Sequence, residues 1–145
     1  MLIGLDPLLS PDLLHALAAM GHGERIALVD ANYPATRGRR LIALPGIGVA
    51  RTLRAVLSVL PADSFVPDPA AVMQVVGEPG AVPAVVREMS AELTAQGWPT
   101  AVGMERHAFY AAAEAAYAIV QTGERRFYGN ILLTKGVIPP PEAMS

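Results

Sequence analysis

Several runs in this chain are apolar at every position, among them Ile26-Ala27-Leu28-Val29, Ala118-Ile119-Val120 and Ile131-Leu132-Leu133. A strand with one face in water alternates apolar and polar residues, whereas a strand apolar throughout has both faces covered. Stretches with helical spacing lie between these runs. Strands alternating with helices and buried on both faces predict an α/β fold. We expect a three-layer α/β/α arrangement around a mainly parallel, mixed central sheet, as one domain over residues 1–145.

The elements follow in order. Ser10-Pro11-Asp12 reads as a helix start, with Ser10 as N-cap, Pro11 at the first helical position and Asp12 in the first turn. Leu13, Leu14, Leu17 and Ala18 then share a face, and Gly21 is the expected stop. Strands are expected at Ile26 to Val29 and Leu41 to Leu44, then a helix from Val49 to Leu60 with Leu53, Val56, Leu57 and Leu60 inward. Further strands are read at Ala71 to Val76, Thr100 to Met104, Ala118 to Gln121 and Ile131 to Thr134. Further helices are read at Val82 to Gln96, stopped by Gly97, and at Arg106 to Ala116.

Composition narrows the function classes. A hydrophobic fraction of 52% and a mean hydropathy of +0.37 argue against disorder. The most apolar helical stretch, Ala111 to Val120, is too short to span a bilayer and carries Glu114, and no signal peptide is visible at Met1 to Asp6. A net charge of -2 gives no electrostatic reason to expect nucleic acid or an acidic membrane as partner. Zero cysteines exclude a disulfide scaffold, a thiolate zinc site and a cysteine nucleophile, and fit a cytoplasmic location. A high apolar fraction with few charges points to a surface partly hidden in a homo-oligomer.

Polar residues concentrate on either side of the first strand and before the last one. Gly21-His22-Gly23 precedes the first strand and Asp30-Ala31-Asn32-Tyr33-Pro34 follows it; Thr122 to Asn130 joins the last two strands. Flanking glycines free His22 to point away from the core, and imidazole is the usual acid/base near neutrality; an ordinary loop histidine is the other reading. Asp30 ends an apolar strand, so it either caps the next turn or binds a ligand. Tyr128-Gly129-Asn130 offers a phenol, an unobstructed backbone and a carboxamide, groups that suit a polyhydroxy ligand and that also occur in plain turns. Arg106 heads a helix, where a surface charge is the ordinary account. Gly46-Ile47-Gly48 lacks the rest of any phosphate-loop pattern, so a tight turn explains it. His15 and His107 read as helix-surface residues, and the spacing of three histidines makes a metal site improbable. We expect the loop that carries His22 and the loop from Thr122 to Asn130 to meet.

Together these pieces resemble the sugar mutarotases that include L-fucose mutarotase and D-ribose pyranase. The resemblance rests on Ser10-Pro11-x-Leu13-Leu14, Met20-Gly21-His22-Gly23, Asp30-Ala31-Asn32-Tyr33-Pro34-Ala35 and Arg106 with Phe109-Tyr110. It continues through Ala118-Ile119-Val120, Thr122-Gly123-Glu124, Tyr128-Gly129-Asn130-Ile131-Leu132-Leu133 and Lys135-Gly136-Val137. It implies His22 as acid/base, with Tyr128 as complementary proton relay. It also implies Asp30, Arg106, Tyr128, Gly129 and Asn130 as substrate-binding residues. Arg106 and Gly129 resemble the fucose branch, whereas Arg37, Arg39 and Arg40 depart from the pattern. The implied activity interconverts the anomers of L-fucose or a similar aldose by ring opening and reclosure, with no metal or cofactor. Ring-shaped homo-oligomers, often decamers, are also implied. Two alternatives remain: pyranose–furanose interconversion of ribose, and a non-catalytic sugar-binding accessory of a transport system.

Overall fold

The computed structural model describes residues 1–142; the last three positions of the expected domain, 143–145, lie outside the described residues. Six strands, β1 (Arg25–Val29), β2 (Leu41–Leu44), β3 (Ala70–Met73), β4 (Val102–Met104), β5 (Ala118–Thr122) and β6 (Ile131–Thr134), form one sheet in the order β2-β5-β1-β6-β3-β4. The pairs β1–β5, β2–β5 and β3–β4 are parallel, and β6 runs antiparallel to both β1 and β3. The expected mainly parallel, mixed sheet is therefore observed.

Side chains alternate across the strands and separate two cores. Ile26, Leu28, Val120, Ile131 and Leu133 pack with α1 (Pro11–Ala19), α2 (Val49–Leu57) and α3 (Ala84–Ala95). Ala27, Val29, Ile119 and Leu132 pack with Phe109 and Ala113 of α4 (Arg106–Ala115) and with a single 3-10 turn at Ala35–Arg37. This two-sided cover is what the apolar runs demanded: Ile26, Ala27, Leu28 and Val29 are each 0% exposed.

The helix ends show where side chains replaced the expected signals. Ser10 Oγ accepts from the Leu13 amide, as an N-cap should. At the other end, Gly21 does not stop α1. Met20 leaves the helix in an extended conformation, and Lys135 Nζ donates to the Leu17 and Met20 carbonyls at 2.7 and 2.6 Å. A lysine from 115 residues away thus satisfies the terminal carbonyls that a left-handed glycine would otherwise serve. Gly97, with φ +73°, does end α3 as expected. On α1 the inward residues are Leu13, Ala16 and Leu17; Ala18 is exposed.

One boundary differs in a way that shapes the site. The expected strand to Val76 ends at Met73, because Gly77 (φ +78°) turns the chain back and Val75 bridges Glu78. Gln74 to Val76 are thereby left at the carboxyl end of the sheet. Pro83 delays α3 to Ala84, and α2 closes at Leu57 with a last turn in which the Leu60 amide donates to the Val56 carbonyl.

Candidate active site

The carboxyl ends of the parallel strands, the usual ligand position in such sheets, carry four of the expected residues. Asp30 follows β1, Arg106 opens α4 just after β4, and Tyr128 and Asn130 lie on the β5–β6 loop. With Met73, Tyr110 and Phe127 they line a cavity of about 170 Å³. That is below the ~300–1,000 Å³ of drug-sized pockets, and suits one small ring.

Asp30 and Asn130 are 6% and 3% exposed. The Asp30 backbone N–H donates to Asn130 Oδ1 at 2.8 Å, while the Asn32 amide donates to Asp30 Oδ1 at 2.9 Å in an Asx turn. Removal from water pushes the Asp30 carboxyl above its ordinary value; hydrogen bonds from the Asn32 and Tyr33 amides and the Asn130 carboxamide oppose this, and Glu124 adds to it. Tyr33, whose phenol is pushed up by burial, packs edge-on against Tyr110 with ring centroids 5.3 Å apart. Gln121 Nε2 holds the Tyr33 carbonyl at 2.9 Å. Tyr110 lines the cavity and is half-buried.

Tyr128 has φ +67°, the left-handed region, which costs a side chain about 1–2 kcal/mol. Its phenolic oxygen accepts the Val76 amide proton at 3.1 Å. That bond uses a lone pair and leaves the O–H free to donate, and Tyr128 lines the cavity. Gly129 does not line the cavity. A Cβ there would sit 2.8 Å from Glu124 Cγ, so the absence of a side chain lets the loop close. Arg106 sits at the first position of α4, where a cation gains nothing from the helix dipole. Its Nε is buried and, among the described residues, has no hydrogen-bond partner. Arg106 lines the cavity, which sets its guanidinium charge beside any ligand held there.

His22 is elsewhere, which corrects the expectation that the two loops meet. It precedes β1 while Asp30 follows it, and the five residues of β1 separate the two ends by about 16 Å at roughly 3.3 Å each. At its own end of the sheet His22 Nε2 lies 3.0 Å from Asp63 Oδ1, and its ring packs on Phe65 at 5.1 Å. Asp63 is 3% exposed; the Phe65 amide, and then His22, hold its carboxyl below the ordinary value. The sequence reading missed Asp63, lying in a proline-rich connection 41 residues from its partner. It also missed the Val76 amide, which was read as part of a strand. Tyr33 was read only as part of the turn after Asp30, and its contact with Tyr110 follows only from the packing.

Gly46-Ile47-Gly48 forms the turn before α2, and His15 and His107 are exposed on their helices. Among the described residues no cluster of three or more His, Asp or Glu is arranged to hold a metal, and no helix is long and apolar enough to cross a membrane.

The chain is 42% identical to the fucose mutarotase of Bos taurus, with 96% of this chain and 95% of that protein covered. It is 44% identical to the fucose mutarotase of Homo sapiens, with 93% of each covered. The crystal structure of the Streptococcus pneumoniae fucose mutarotase in complex with L-fucose superposes with a TM-score of 0.89 at 36% identity, covering 95% of this chain and all of that one. A family model matches residues 3–138, and the chain belongs to the RbsD / FucU transport protein family.

Proposed function

We propose that the protein is a sugar mutarotase, a cofactor-independent isomerase that interconverts the α and β anomers of L-fucose or a similar aldose. The observation that carries this reading is the small cavity in which Asp30, Arg106, Tyr128 and Asn130 converge. Its groups are directional hydrogen-bonding partners for hydroxyls, and the fucose mutarotases named above support the same reading. Asp30, Arg106 and Asn130 hold sugar hydroxyls, with Gly129 giving the loop room, and the phenol of Tyr128 relays a proton. Ring opening takes the proton from the anomeric hydroxyl and delivers one to the ring oxygen. The aldehyde then turns about C1–C2, and the reverse transfers close the ring on its other face. Proton supply and removal balance within each cycle, so neither an electron carrier nor a Lewis acid is required.

His22, the second acid/base, reaches this cavity from a neighbouring subunit of a ring-shaped homo-oligomer, a decamer by the resemblance. Exposed apolar side chains flank both halves: Phe65 is 74% exposed beside His22, and Phe127 is 72% exposed on the cavity rim. Adjacent apolar groups at both half-sites suit a contact that joins them. We take residues 1–145 as a single sugar-mutarotase-like domain working in the cytoplasm, where a chain without cysteines needs no oxidising compartment.

Two-dimensional exchange NMR on equilibrated L-fucose tests the activity. Faster magnetisation transfer between α and β signals with protein than without supports it; bound sugar with unaccelerated transfer means a non-catalytic binding accessory. Pyranose–furanose exchange of D-ribose, favoured over fucose in the same assay, would shift the assignment to the ribose branch. Co-expression of His22→Ala with Tyr128→Phe tests the shared site. If one subunit supplies the imidazole and the next the phenol, random mixing rebuilds about a quarter of the sites. If both groups act within one chain, mixing restores nothing.

A further inference from the structure

The loop bearing Tyr128 and Asn130 is tied down from beneath by residues that the mechanism above does not use. Glu124 is 7% exposed. Its Oε2 accepts the backbone N–H and Nε of Arg126 at 3.2 and 3.1 Å, and its Oε1 accepts Nη2 at 2.9 Å. The same carboxylate lies beside the start of α2, where the helix dipole favours an anion: its Oε1 would be 3.5 Å from a Cβ built on Gly48. Arg126 reaches onward to Glu88 on α3, with Nη1 and Nη2 donating at 2.9 and 2.7 Å.

These ties converge on the cavity. The Glu124 carbonyl accepts the Ala31 amide at 2.9 Å, joining the β5–β6 loop to the turn that follows Asp30. Gly129 packs directly on the Glu124 side chain, with Val49 and Val85 completing the floor; a Cβ there would meet their methyls at 3.2 and 3.3 Å. Thus one buried carboxylate is bonded within the loop, sits against the start of α2, and packs beneath the residue that lies between Tyr128 and Asn130.

We propose that Glu124 and Arg126, braced by Glu88, are positioning residues for ring opening: they set the Tyr128 phenol and the Asn130 carboxamide relative to Asp30, and so govern turnover more than sugar affinity. This rests on the mutarotase reading. Proton transfer depends steeply on alignment, such that a displacement of about 1 Å costs on the order of 10²-fold. Hydroxyl hydrogen bonds in a half-open cavity tolerate such a displacement better.

Exchange NMR over a range of L-fucose concentrations, corrected for folded protein, separates kcat from KM for the wild type, Arg126→Ala, Arg126→Lys and Glu88→Gln. We expect Arg126→Ala to lower kcat about tenfold with KM within about threefold, Arg126→Lys to recover part of the loss, and Glu88→Gln to lose about two- to threefold. A lowered melting temperature with kcat unchanged in all variants would make the cluster merely structural and overturn the proposal. Should Arg126→Ala not fold, Arg126→Lys and Glu88→Gln decide by the same kcat criterion. A wild type that fails to accelerate exchange defeats the mutarotase reading itself, a result distinct from an active wild type with equally active variants.

Discussion

Asn130→Ala removes the acceptor of a hydrogen bond that is buried at both ends. Asp30 N–H and Asn130 Oδ1 are 2.8 Å apart, and their residues are 6% and 3% exposed. The amide left behind has no water to turn to, so the fold loses about 1–3 kcal/mol. With a urea slope near ~2 kcal/mol/M, the unfolding midpoint falls by roughly 0.5–1.5 M at fixed protein concentration. Asn130→Asp separates this loss from that of the sugar contact, since it keeps an acceptor oxygen but sets a second carboxylate beside Asp30. Asp30 is already held above its ordinary value by burial; a like charge adjacent to it raises the pair further. The folded state then binds more protons than the unfolded one between the unfolded and folded pKa values, so the stability of Asn130→Asp rises as pH falls through that window. Urea titrations of both variants at several pH values make the measurement. The reasoning fails if Asn130→Ala unfolds within ~0.2 M of the wild type, or if Asn130→Asp shows no added pH slope.

Asp30→Asn should raise stability at neutral pH while abolishing anomer exchange, because the fold disfavours the charged form; its advantage over the wild type shrinks as pH falls through the raised Asp30 value, seen by thermal melts against pH. His22→Ala should slow exchange by about 10²–10⁴-fold while L-fucose still binds, as read by exchange NMR beside titration calorimetry. Asp63→Asn, which removes the carboxylate 3.0 Å from the His22 ring, should lower kcat with little change in KM. Gly123→Ala would bring a Cβ to 2.1 Å from the Pro45 carbonyl oxygen, a backbone atom that cannot step aside, whereas Gly46→Ala meets nothing within 4 Å. Melting curves should show the first losing ~3 kcal/mol or more and the second close to neutral.

The sequence by itself determined the order of elements and the class of sheet. Runs such as Ile26 to Val29 leave no choice but cover on both faces, and Ser10-Pro11 and Gly97 mark helix ends through local chemistry. It also marked Asp30, Arg106, Tyr128 and Asn130, which the fold gathers around one cavity. Only the tertiary structure decided what lies beside what. His22 and Asp30 are eight positions apart and look like neighbours in the sequence, yet an extended strand between them carries them to opposite ends of the sheet. Asp63 beside His22, the Val76 amide on Tyr128 and Lys135 on α1 join distant segments. Such partnerships leave no periodic trace, because a hydrogen bond between distant residues depends on where the backbone brings them and not on their spacing along the chain.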